Sequence, residues 1–168
     1  MSLYTELFLP LIISNIAHML VVKHDHFSAL NIPVSSALFG QNKTLTGFVF
    51  VSLSTALLQL LTNRLLYGEF SVEHLLLGLM LGLMYMVSEL PNSFMKRRLG
   101  IGPGEKPQNR AWLLTILDKS DSTVGVCAAF TLYKGLPFPK FLEFFVVAFC
   151  IHLSLSQLLY SLRIKAKL

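Results

Sequence analysis

The sequence predicts an all-α integral membrane bundle of five transmembrane helices with two longer cytoplasmic loops. Three observations predict it. Apolar residues fill 54% of the 168 positions and charged ones only 14%, against about 25% charged in an ordinary soluble domain. The apolar residues fall into runs long enough to cross a bilayer, and mean hydropathy is +0.62. The basic residues gather in the connections between those runs, mostly on one side. A soluble enzyme, a disordered tail and a disulfide scaffold are excluded. The length suits a single domain over residues 1–168.

A spanning helix needs roughly 20 mostly apolar residues. Five segments qualify, at about 5–22, 45–66, 72–90, 120–136 and 141–162. The second and fifth are clearest, because Thr44–Asn63 and Phe144–Leu162 contain no Asp, Glu, Lys or Arg. The fourth is weakest, with its uncharged stretch Ser122–Tyr133 lying between Asp121 and Lys134. Its Gly, Ala, Ser and Thr content suits a helix packed inside the bundle, where small side chains allow close approach. Nothing at the N-terminus reads as a signal peptide, since the opening residues carry no basic region. Cys127 and Cys150 lie in apolar runs and read as small buried hydrophobes.

Five crossings place the termini on opposite sides. One side then holds Arg64, Lys134 and Lys140, and the other holds the remaining eleven basic residues. By the positive-inside rule the C-terminus and the 23–44 and 95–119 loops face the cytoplasm, with the N-terminus outside. This topology is also the better account of the net charge of +5, and no nucleic-acid partner is expected. Both cytoplasmic loops are longer than mere connections usually are, so chemistry is expected there and at the adjoining helix ends.

Three clusters on that side could carry it. Phe39-Gly40-Gln41-Asn42-Lys43-Thr44-Leu45-Thr46-Gly47 precedes the second span. Backbone N–H groups entering a helix, with Lys43, can bind an anion; the plainer reading is a loop with a Thr cap and an interfacial Lys. Ser88 to Arg98 ends the third span. On one continuous helix Glu89, Ser93, Lys96 and Arg97 share a face, a condition that Pro91 tests because it can kink the helix or open a new one. Lys96-Arg97-Arg98 also serves as a topology anchor, but Glu89 so near an apolar span is costly unless paired, solvated or used. Asp118 and Asp121 open the fourth span three residues apart, so a helix presents both carboxylates on one side. They fit Mg²⁺, which takes one or two carboxylates and fills its other positions with water and phosphate oxygens; they also fit simple compensation of the helix dipole, with Asp118 or Ser120 as cap. Taken together, the clusters supply what binding a nucleoside triphosphate through Mg²⁺ requires. No Walker, Rossmann or kinase motif accompanies them.

Other polar residues read as structural. His24-Asp25-His26 could ligate a metal, but its two His stand only i, i+2 with no further ligand nearby, so it reads as an interfacial polar loop. His18, His74 and His152 read as packing residues in or beside apolar helices. Glu73 and Glu143 compensate helix starts. Lys134 and Lys140 are interface anchors. Phe138, Phe141, Phe144, Phe145 and Phe149 form a lipid-facing or packing surface, and the tail Arg163–Lys167 attracts anionic lipid heads.

The three clusters, in this order, resemble the CDP-archaeol synthase family, a five-span branch of the membrane CTP transferases that include phosphatidate cytidylyltransferase. The resemblance rests on Phe39, Gly40, Lys43, Thr44 and Gly47. It continues with Ser93, Phe94, Lys96, Arg97, Arg98, Leu99, Gly100, Pro103 and Gly104, the most specific element. It closes on Leu117, Asp118 and Asp121.

The resemblance implies that a lipid phosphate attacks the α-phosphorus of CTP, giving a CDP-lipid and pyrophosphate with Mg²⁺. Asp118 and Asp121 would hold the metal together with Glu89. Lys43, Lys96, Arg97 and Arg98 would neutralise the phosphates, while Ser93 and Thr44 orient oxygens and Gly47 completes the nucleotide-side motif. The lipid is phosphatidate or an isoprenoid glycerol phosphate, and a homodimer is allowed. The chain departs from the family at Ser88-Glu89, where Gly-Asp is usual, and at Leu45-Thr46, where Trp-Arg is usual. The lost Arg removes a phosphate clamp, so the alternative is a non-catalytic lipid-binding, scaffold or transport protein derived from the same family.

Overall fold

The computed structural model describes residues 2–23, 32–103, 105 and 111–162, with backbone only for 111–115. The His24–His26 loop, Gly104, the 106–110 stretch and the tail from Arg163 lie outside the described residues. Five helices follow one another: α1 (Leu3–Lys23), α2 (Leu45–Tyr67), α3 (Val72–Arg98), α4 (Ala111–Tyr133) and α5 (Phe138–Ser161). Four of them, α1, α2, α3 and α5, are long and apolar enough to cross a membrane. The fourth, α4, has the length but carries Asp118, Lys119 and Asp121 in its first half.

Each helix packs on the next, and the pairings run antiparallel. Ser14 of α1 donates to the Val51 carbonyl of α2, Gly78 and Gly82 of α3 lie against Ala56 and Ser52 of α2, Asn92 of α3 meets Asp121 of α4, and Lys119 of α4 meets Ser156 of α5. The α2–α3 contact is the most extensive. Lipid tails are as apolar as Leu, so burial alone cannot drive helix association; close packing must. Glycine supplies it here. A Cβ on Gly78 would lie 2.7 Å from Ala56 Cα and from the Thr55 carbonyl, and one on Gly82 2.7 Å from Ser52 Cα. The backbones meet only because no side chain stands between them.

A second core joins the remaining helices around Phe144 of α5. Its ring takes Tyr4 edge-on at 5.4 Å and Phe130 at 5.6 Å between centroids, with Leu7, Leu77, Leu81, Val126 and Cys127 around them. Phe138, Phe141, Phe145 and Phe149 stack in a ladder along α5, at 5.7, 6.3 and 6.0 Å. Cys127 is buried, as its apolar setting predicts, but Cys150 lies on the exposed face of α5, which packs mainly on α4.

Two element boundaries differ from the sequence reading. Helix α3 runs through Pro91 to Arg98 instead of ending near residue 90. The proline removes one backbone bond, and the helix continues across it. Helix α4 begins at Ala111, not near residue 120. Asp118 is therefore its eighth residue, past the first turn in which a helix dipole acts, and neither Asp118 nor Ser120 caps it.

Candidate active site

All the pieces of the site lie at one end of the bundle, where α1, α3 and α5 finish and α2 and α4 begin. There the helices enclose a polar cavity of about 440 Å³, within the range of small-molecule pockets. Its lining draws Asn15 and His18 from α1, Lys43 from the loop before α2, Glu89 to Arg97 from α3, Asp118 to Asp121 from α4 and His152 to Leu159 from α5.

The loop before α2 is a closed structure. The Val34 N–H donates to the Lys43 carbonyl at 2.8 Å and Leu45 N–H to the Ile32 carbonyl at 2.9 Å, pinning its two ends together. Between them Gly40 adopts φ +86°, and a Cβ there would come 3.1 Å from Arg97 Nε and 3.3 Å from Pro103. Glycine is required twice over, for the left-handed backbone and for the passage of Arg97. Thr44 caps α2: its Oγ1 accepts the Gly47 N–H at 3.1 Å. Gly47 packs between His18 and Met86. Neither Thr44 nor Gly47 lines the cavity.

The continuous α3 presents Glu89, Asn92, Ser93, Lys96 and Arg97 to the cavity as one face. Past it the chain turns back at Gly100, φ +71°, with Ile101 N–H returning to the Lys96 carbonyl at 2.9 Å. Arg97 hydrogen-bonds the Ile101 carbonyl through one guanidinium nitrogen, leaving its buried Nε without a partner among the described residues. Arg98 points elsewhere, its guanidinium 5.1 Å above the Phe94 ring.

At the centre, Asp118 and Asp121 converge. A single nitrogen, Asn92 Nδ2, donates to Asp118 Oδ1 at 2.6 Å and to Asp121 Oδ2 at 3.0 Å. Lys96 pairs with the same Asp118 oxygen, and Asp121 Oδ1 accepts the Ser122 N–H at 2.6 Å. Carboxylate oxygens are the ligands Mg²⁺ takes; here the Asn92 amide donates to both carboxylates and the Lys96 ammonium offsets the charge of Asp118. Glu89 is instead engaged by Lys43. Among the described residues no three His, Cys, Asp or Glu side chains gather as a metal site, so the metal would rest on two carboxylates plus water and phosphate oxygens.

Several lining residues escaped the sequence reading. Asn92 sits inside the α3 cluster, one helical turn from both Glu89 and Lys96, and extending the helix through Pro91 would have exposed its place. Lys119, one of the eleven basic residues on the cytoplasmic side, is 5% exposed and hydrogen-bonds Ser156 Oγ at 2.6 Å. His18 and His152 line the cavity, beyond the packing role expected of them. No sequence signal marks either one.

The comparison with known families covers nearly the whole chain: the model for CarS-like CDP-archaeol synthase matches residues 4–167. No curated protein and no solved structure matches.

Proposed function

The chain belongs to the CDP-archaeol synthase family, which implies CTP-dependent nucleotidyl transfer at a membrane, and we propose that it moves CMP from CTP to a lipid phosphate with Mg²⁺, releasing pyrophosphate. The observation that carries this reading is that Asp118 and Asp121, bridged by Asn92, line one cavity with Lys96, Arg97 and Lys43 at the end of a membrane bundle.

In the reaction a lipid phosphate oxygen bonds to the α-phosphorus of CTP, and the bond from that phosphorus to the β-phosphate bridging oxygen breaks. The nucleophile is already ionised at neutral pH, so the protein has no proton to remove. Its work is positioning and charge stabilisation. Asp118 and Asp121 would hold Mg²⁺, which would supply charge to offset the phosphates. Asn92 keeps the two carboxylates together. Lys43, Lys96 and Arg97 offset the triphosphate, whose charge grows at the leaving group, and Ser93 offers a hydroxyl on the same face. Arg98 and Thr44 act from outside the cavity, the one on Phe94 and the other as helix cap. The excess of basic residues on the cavity side supports an orientation of the cavity toward the cytoplasm, where CTP is made.

Purified protein in lipid discs, supplied with labelled CTP, Mg²⁺ and either phosphatidate or an isoprenoid glycerol phosphate, is expected to form a CDP-lipid. Asp118→Asn and Asp121→Asn should each abolish the product. Undiminished turnover in both variants overturns the metal assignment. Folded wild-type protein that turns over neither lipid is instead a non-catalytic lipid-binding, scaffold or transport protein.

A further inference from the structure

The reaction requires two phosphate-bearing substrates in one cavity, and the cations are divided between two walls. Lys43, Lys96 and Arg97 stand on the α2–α3 side. Lys119 stands on the other. It follows Asp118 directly in α4, and adjacent helical residues point about 100° apart, so that while Asp118 turns toward Asn92 and Lys96 of α3, Lys119 turns toward α5. There its Nζ hydrogen-bonds Ser156 Oγ at 2.6 Å, with only 5% of the residue exposed. An ionisable side chain enclosed in a membrane bundle is costly, and such residues are characteristically functional.

The surroundings of Lys119 differ from those of the other three cations. A narrow apolar cleft runs between α1 and α5, lined by Phe8, Leu11, Ile12 and Ile151 among others. It meets the polar cavity at Asn15, Tyr85, His152 and Leu155, which line both. Lys119 and Ser156 line the polar cavity at this α5 wall. A phosphomonoester with a hydrocarbon chain suits such a junction: the chain enters the cleft and the phosphate stays in the polar cavity. A nucleoside triphosphate has nothing to place in the cleft.

We propose that Lys119 and Ser156 form the binding subsite for the phosphate of the lipid substrate, distinct from the Lys43–Lys96–Arg97 wall that takes the nucleotide. This rests on the transferase reading for the identity of the two ligands, but its test does not require turnover.

The full chain is placed in phosphatidylcholine discs doped with dioleoyl phosphatidate, its isoprenoid diether counterpart or, as a phosphate-free control, dioleoylglycerol. Lipid retention is read by native mass spectrometry and CTP binding by calorimetry. Lys119→Met should weaken retention of a phosphate-bearing lipid about tenfold, the scale of one charge-assisted hydrogen bond, and leave CTP affinity within about twofold. Lys119→Arg should restore most of the retention. Ser156→Ala, which keeps the charge and removes one hydroxyl, should weaken it by about threefold, and it carries the test if Lys119→Met does not fold. Equal retention by the variants and wild type overturns the proposal, as does a parallel loss of CTP affinity, which marks a structural brace between α4 and α5. Retention of dioleoylglycerol as strong as that of the phosphate lipids, or full displacement of them by inorganic phosphate, overturns the lipid-phosphate assignment. A wild type that shows this binding split without making a CDP-lipid sinks the transferase reading and leaves the subsite standing.

Discussion

At the scale of single residues, the site is held by charge pairs that would be untenable alone. Lys43 and Glu89 are each less than one-fifth exposed and paired with one another. Removing one partner of such a pair costs more than removing both, since it leaves a charge without compensation. Lys43→Met should therefore destabilise the protein more than the double variant Lys43→Met/Glu89→Gln, by about 1–2 kcal/mol of coupling in a thermal-unfolding cycle; equal stabilities would show that solvent already neutralises Glu89. Asn92 makes a different prediction, because it touches both carboxylates. Asn92→Leu should lower kcat about 10- to 100-fold, the usual effect of losing a group that orients metal ligands, with the Mg²⁺ concentration needed for half-maximal rate rising in parallel. Unchanged Mg²⁺ dependence would remove Asn92 from this role. Much of this scale was legible in the chain. The order of Lys43, Lys96–Arg97 and Asp118–Asp121 pointed to one polyphosphate site, and the structure brings those residues to one cavity. The Thr44 cap is the plainer of the two readings its residue type allows. What could not be read was that Arg98 rests on Phe94 while Lys96 and Arg97 face the cavity, which depends on side-chain placement and not on residue type.

At the scale of elements, the bundle depends on glycine where helices cross and where the loop before α2 turns. The spacing Gly78-Leu79-Met80-Leu81-Gly82 is a small-residue pattern on α3 that brings its backbone against α2. Because even a methyl group would meet backbone at 2.7 Å, Gly82→Ala should cost about 1–3 kcal/mol and lower the unfolding temperature in detergent. Gly100→Ala, where no atom lies within 4 Å, should cost only its left-handed backbone strain, about 1 kcal/mol. The reverse order would mean that the α2–α3 seam yields easily. Gly40→Ala should act on function, forcing the 32–44 loop off Arg97 and raising KM for CTP more than it lowers stability. Element boundaries were the least legible feature. Pro91 and the charged 118–121 stretch both look like helix ends in a hydropathy reading, yet both lie inside helices. Polar residues mark a helix end only when they must reach water, and here they face an internal polar cavity.

At the scale of the whole molecule, the two ends of the bundle do different things. The cavity end concentrates basic residues around the site, and the opposite end is closed by a buried acid that the sequence reading passed over. Glu6 of α1 is 5% exposed and meets Lys134 Nζ at 2.7 Å, with His74 Nε2 of α3 at 3.6 Å. Lys134 thus ties α1 to the α4–α5 turn in addition to sitting at the interface. Lys140, paired with Glu143 in a two-fifths-exposed i,i+3 bridge, makes no such tie. Lys134→Met should destabilise the bundle by roughly 2–3 kcal/mol, below the full range for a buried pair because the lysine retains some exposure, whereas Lys140→Met should change stability by less than about 1 kcal/mol. The same division of charge predicts an orientation that labelling can test. With Cys127 and Cys150 replaced by Ala, a single cysteine at Gln41, on the cavity side, should react with a membrane-impermeant maleimide only after the cells are permeabilised. One at Glu69, in the α2–α3 connection on the opposite side, should react in intact cells. Both positions are exposed, so access decides the result. The opposite pattern would turn the cavity away from the cytoplasm and from its supply of CTP, and with it the site's assignment as a nucleotidyltransferase would fail.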